Sequence, residues 1–146
     1  MLCFYFVESP LANGDLIALL SRRKSAALAL KPELAFVKKF IIFTHAASYK
    51  AFLSGTARAE KFCMEWLART ACTPNLSRAR EICAPGKTVG IVSEGPLSDE
   101  ELAKIGKEVS YNPSASHLES FFKLSPTPTQ SVEDLLIERS AVAFIG

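Results

Sequence analysis

Five cationic side chains, Arg58, Lys61, Arg69, Arg78 and Arg80, fall within one short stretch, RAEKFCMEWLARTACTPNLSRAREI, running from Arg58 to Ile82. Guanidinium and ammonium groups spaced along helices suit phosphate, because several of them can neutralise a nucleic-acid backbone together. The chemistry on offer is anion binding rather than bond making. A hydrolase would need a nucleophile, a base and an orienting group that meet in space. The chain has only two histidines, His45 and His117, and no GxSxG, P-loop or GxGxxG signature. Cys3, Cys63, Cys72 and Cys83 form no CxxC pair, and no cysteine and histidine lie two to five residues apart. That spacing fits neither a metal site nor a redox pair. Asp99-Glu100-Glu101 reads as the solvated first turn of a capped helix. The expectation is a non-enzyme with no cofactor and no metal. Cations on a helix face are also ordinary solvated surface, and Trp66 reads as core rather than as a base-stacking platform.

The cations must be positioned by two helices joined at a tight break. In the first, Ala59, Phe62, Cys63, Trp66 and Leu67 recur at helical spacing as one apolar stripe, with Arg58, Lys61, Glu65 and Arg69 on the opposite face. Pro74 fits the first position of the second helix with Thr73 as N-cap. That helix turns Leu76, Ala79, Ile82 and Cys83 inward and Arg78 and Arg80 outward.

Around this pair, Leu2 to Val7 reads as a buried strand and Asn13 to Lys24 as a helix closed by cations. Ala26 to Leu30 and Leu34 to Val37 read as short extended segments split by Pro32. Phe40, Phe43, Thr44, Ala47 and Ala51 keep helical spacing from Lys38 to Leu53, with Gly55 as the stop. Thr88 to Val92 is a β-branched strand, and Ser98 with Glu101 forms a capping box. A strand over Glu108 to Tyr111, a helix over Ser114 to Lys123 and a linker at 125–131 follow. A last helix, Val132 to Glu138, leads into a closing strand at Ala141 to Ile145. The pattern predicts an α/β (α+β) protein of one domain, residues 1–146, with a small mixed sheet covered by several helices.

The whole composition agrees with a folded body. Of 146 residues, 49% are hydrophobic and 22% charged, which argues against disorder. The formal net charge of +2 is too small to identify a partner, so only local clustering counts. No run approaches the roughly 20 apolar residues of a membrane span, and MLCFYFVESP lacks the features of a signal peptide. A soluble cytoplasmic protein without membrane contact is expected.

Phe62-Cys-Met-Glu-Trp-Leu-Ala-Arg69, a short break, and Leu76-Ser-Arg-Ala-Arg-Glu-Ile82 resemble the PRPK-binding protein family, the small kinase-binding subunits of the KEOPS complex. In that family a Met-Glu helix, a Ser-Gly pair and an Arg-Gln-Ile helix precede a glycine and a valine-rich strand. The ending Leu136-Ile-Glu-Arg-Ser-Ala-Val-Ala-Phe144 is similar to the family's closing helix-to-strand segment. The resemblance covers roughly residues 33–92 and 132–145. The chain departs from the pattern where Ala71-Cys72 replaces Ser-Gly, where Pro74 replaces the arginine and where Asn75 and Leu76 replace Gln and Ile. Phe40 replaces the histidine that often opens the earlier helix.

The resemblance implies a non-catalytic subunit of the machinery that adds the threonylcarbamoyl group to tRNA adenosine 37. Its partners would be the complex's small atypical kinase and the tRNA 3′ CCA end, with an indirect link to the threonylcarbamoyl-transferring subunit. The tRNA contacts would fall on Arg58, Lys61, Arg69, Arg78 and Arg80. The kinase contact would fall on the C-terminal segment, where Leu135, Leu136, Ile137 and Val142 crowd together and cannot all face one core. Two other classes compete with this reading: a self-standing small RNA-binding module, and a small enzyme without a recognisable motif.

Overall fold

The computed structural model describes residues 1–124 and 129–145. Most of the linker expected at 125–131 lies outside the described residues. Among those described are four strands and eight helices, so the chain is of the α+β class. They divide into two compact units, Met1–Phe36 with Cys83–Tyr111 and Val37–Ile82 with Asn112–Gly146.

The first unit holds the sheet, in the order β2-β3-β1-β4: β1 (Leu2–Glu8), β2 (Ala27–Leu30), β3 (Thr88–Glu94) and β4 (Lys107–Glu108). Every pairing is antiparallel, where a mixed sheet was expected. The register Tyr5↔Ile91, Phe6↔Gly90, Val7↔Val89 sorts side chains by the two-residue period of a strand. Val7, Val89 and Ile91 meet Leu16 and Leu20 of helix α1 (Asn13–Ser21) and Ile105 of helix α6 (Asp99–Ile105). Phe6 turns the other way, stacking on Tyr111 at 5.1 Å between ring centres, with Phe36 at 6.4 Å. Of the expected strand at Glu108–Tyr111 only Glu108 lies in β4; the Val109 amide still donates to the Phe6 carbonyl at 2.9 Å, and Tyr111 is in this aromatic packing rather than in a ladder. The capping box of α6 forms as the sequence predicts, and Glu101 also accepts two hydrogen bonds from Arg23 Nη1, at 2.7 and 2.6 Å. The Ser98 backbone N–H, and then Arg23, hold the Glu101 carboxyl below its usual range.

Leu34–Val37 is not extended. Pro32–Phe36 forms helix α2, with proline in the first turn, where its missing N–H is no loss, and with the Lys31 carbonyl accepting from the Leu34 and Ala35 amides. This helix sits against β3 at Gly90. A Cβ at Gly90 would overlap Ala35 Cβ and stand 3.3 Å from Pro32 Cα.

The second unit is helical: α3 (Lys38–Ser54), α4 (Phe62–Thr70), α5 (Leu76–Cys83, its last residue belonging to the first unit), α7 (Ala115–Phe122) and α8 (Val132–Ala143). The buried residues of α3 are Phe40, Ile41, Thr44, Ser48 and Ala51. Phe43 and Ala47, expected inward, are only half-buried. Gly55, at φ 73°, ends α3, with the Thr56 amide donating to the Ala51 carbonyl at 2.9 Å and the Gly55 amide to Phe52 at 3.3 Å, a Schellman closure.

The closing strand is also absent. Helix α8 runs through Ala143, and the Phe144 and Ile145 amides donate back to Ala141 and Val142. Leu136 and Ser140, four residues apart, are both buried, so the helical stripe continues through the alanines, which favour helix.

Filling the gap between β3 and α2 gives a direct test of this packing. Gly90→Val should lower stability by about 1–3 kcal/mol through overpacking, read as a reduced melting temperature. Adding Ala35→Gly should recover part of the loss. A Gly90→Val protein as stable as the wild type would show that α2 is not held at this distance.

Candidate nucleic-acid and partner interface

Helix α4 starts later than the sequence pattern suggests. Residues 58–61 precede it, and the Arg58 and Ala59 amides donate to Glu65 Oε1 at 2.8 and 3.0 Å. Glu65 was expected on the outer face but is fully buried. Its other oxygen accepts from Arg69 Nε at 2.8 Å. A buried carboxylate persists only when paired and hydrogen-bonded, and these three donors supply that. Arg69 is thereby turned inward, its side chain only 15% exposed. The Arg69 guanidinium lies over the Phe144 ring at 4.3 Å, and that of Arg58 lies 5.5 Å from the same ring. Ser140 Oγ donates to the Arg69 carbonyl at 2.7 Å, fixing the end of α8 to the end of α4.

The five expected cations therefore part company. Arg58, Lys61, Arg78 and Arg80 are exposed, whereas Arg69 serves an internal ion pair. Arg58 and Arg69 are brought together by Phe144, and Arg80 Nη2 reaches Met64 Sδ at 3.8 Å. The apolar stripe is largely as read: Ala59, Trp66, Ala79 and Cys83 are buried, and Phe62, Cys63, Leu67, Leu76 and Ile82 are half-buried. Trp66 packs edge-on to His45 at 4.7 Å, and Phe62 lies 4.6 Å from Tyr49, so rings join α3 to α4.

The break between α4 and α5 differs from expectation in its cap. Pro74 lies in the turn, not in the helix, and Asn75 Oδ1 accepts from the Arg78 amide at 3.1 Å as the N-cap, while Thr73 Oγ1 accepts from Asn75. At the end of α4 the Thr73 amide donates to Ala68 and the Cys72 amide to Arg69, a second Schellman closure. Its left-handed residue is Cys72, at φ 58°. A side chain with a β-carbon tolerates that conformation less well than glycine does. Burial pushes the Cys72 thiol up to about 11, outweighing Arg139 and Ser140 nearby, which is the reverse of an activated thiolate.

The four apolar residues expected at a partner surface also separate. Leu136 is core, at 2% exposed, because it is on the stripe it shares with Ser140. Leu135 and Ile137 are half-buried, and Val142 is 62% exposed. Ile145, not singled out by the sequence, is 77% exposed. Phe144 was also missed, since a ring placed over two guanidinium groups leaves no signal in local spacing.

Among the described residues no group of three or more His, Cys, Asp or Glu side chains could hold a metal ion, and no helix is long and apolar enough to cross a membrane. No protein-family model matches the chain, and no curated protein is a significant match to it.

Two substitutions test this geometry. Glu65→Leu strands Arg69 and two amides in a buried site and should cost about 3–5 kcal/mol, read as a lower urea midpoint at unchanged slope. A midpoint within error of wild type would show that the pair is not needed. At Cys72, relief of the left-handed strain, about 1–2 kcal/mol, should let glycine match or exceed cysteine in melting temperature, with valine well below both. Valine equal to glycine would show that the turn is not held in that conformation.

Proposed function

We propose that the chain is a non-catalytic subunit of a KEOPS complex, binding the complex's small atypical kinase and the 3′ CCA end of tRNA. The observation that carries the RNA half is the outward placement of Arg58, Lys61, Arg78 and Arg80 in one helical unit. The left-handed turn at Cys72, falling where the resembled family has glycine, lends support to the likeness itself. Exposed Val142 and Ile145 supply apolar surface for the protein partner at the C-terminal segment, and Leu136 is withdrawn from that role.

Phosphate contacts make affinity fall steeply with salt, and unpaired bases add preference for a single-stranded tail. In a gel-shift assay, full-length tRNA should bind more tightly than tRNA lacking its last three nucleotides. Replacing Arg58, Lys61, Arg78 and Arg80 with alanine should weaken binding and flatten its dependence on salt. Equal binding of the two RNAs removes the CCA-tail assignment. Affinity for tRNA without co-purification of the kinase favours a self-standing RNA-binding module instead.

A further inference from the structure

Arg58 differs from the other outward cations in being held at both ends. Its amide donates to Glu65 Oε1 at 2.8 Å, and its guanidinium carbon lies 5.5 Å from the centre of the Phe144 ring, within the range of a cation–π contact. Among the described residues no ring or ion-pair partner holds the side chains of Lys61 or Arg78, and Arg80 touches only the weak acceptor Met64 Sδ, at 3.8 Å.

The ring is itself held in place. Phe144 is half-buried, and its amide donates to the Ala141 carbonyl at 3.3 Å. Arg69, whose charge is taken up by Glu65 at 2.8 Å, lies against the same ring at 4.3 Å. The face of an aromatic ring is negative, so it attracts a guanidinium while leaving the group's charge and its N–H donors intact. A carboxylate in that position would instead neutralise the arginine and compete with a phosphate.

We infer that Phe144 is a positioning residue of the anion-binding surface, holding the Arg58 guanidinium in place for a phosphate oxygen of RNA. The inference rests on the RNA reading above and names which of the four exposed cations the fold sets in advance. A long side chain ordered before its ligand arrives has less conformational freedom to lose on binding.

Fluorescence anisotropy of the full chain with labelled tRNA reads the effect. Phe144→Leu keeps apolar cover on Arg69 but removes the ring, and should weaken binding about two- to fivefold, the worth of an exposed cation–π contact. The slope of affinity against salt should stay at the wild-type value, because no charge is lost, whereas Arg58→Ala should reduce it by about one. In an Arg58→Ala background Phe144→Leu should have no further effect. Pentafluorophenylalanine at position 144 keeps the shape but reverses the ring quadrupole, so it should act like leucine, while Phe144→Tyr should bind as the wild type does. The fluorinated form decides the matter if leucine lowers the melting temperature. In the free protein, NMR relaxation should show Arg58 Nε–Hε more rigid than Arg78 Nε–Hε, a difference that Phe144→Leu removes. Wild-type affinity in both the leucine and the fluorinated forms overturns the inference. So does a loss that persists undiminished in the Arg58→Ala background, which marks a purely structural ring. Failure of the wild-type chain to bind any tRNA overturns the RNA reading, and this role with it.

Discussion

The helical unit depends on one buried carboxylate. Glu65 is inaccessible to water, yet it keeps its charge partner and two backbone amides within hydrogen-bond reach. Each consequence follows from the desolvation of that group. The chain ahead of α4 must curl so that the Arg58 and Ala59 amides point at it, which postpones the helix start. Arg69 must turn inward to pair with it, which removes one cation from the surface. Phe144 then covers the guanidinium, so the last turn of α8 is organised around the same charge. A side chain that a helical wheel assigns to solvent thus sets the geometry of three segments.

Surface and interior cations answer different needs here. Arg69 satisfies an internal acceptor and cannot also reach a phosphate without surrendering Glu65. Arg58 faces both ways, lending its amide to Glu65 and its guanidinium to the Phe144 ring while remaining exposed. Arg78 and Arg80 stand on α5, whose amide cap is closed by Asn75, and Arg80 also reaches Met64 Sδ of α4 across the turn. The anion-binding reading thus rests on exposed side chains, of which Arg58 and Arg80 also touch Phe144 and Met64.

Local signals were legible where one rule acted alone. The β-branched run at Thr88, the capping box at Ser98 and the glycine stop at Gly55 are each decided within four residues, and each is present. Elsewhere tertiary context overrides the local pattern. The run Ala141–Ile145 is apolar enough for a strand, but the burial of Leu136 and Ser140 on one stripe keeps it helical. Pro32 suggests a break, yet a proline also opens a helix, and only the bare Gly90 beneath α2 reveals which applies. Helix α3 is apolar on several sides, so spacing alone could not tell its inward stripe from the outward one. Glu65 was misplaced for the same reason: a partner four residues along the helix is visible in sequence, but the direction in which the pair turns is not.

The two anchors of α8 differ in kind, and this has a consequence for how the unit opens. Near its start the helix is fastened by the Ser131 capping box, by the pair of exposed Lys39 with half-buried Asp134, and by the Lys39 amide donating to Glu133. Near its end it is fastened by Ser140 on the Arg69 carbonyl and by Phe144 over the guanidinium, in surroundings from which water is largely excluded. Exposed ion pairs yield to local fluctuation far more readily than buried, hydrogen-bonded ones. Helix α8 therefore loosens from its N-terminal end while its C-terminal turn stays fast. In amide exchange the protection along this helix would rise toward Ser140, so its last turn is its most persistent part.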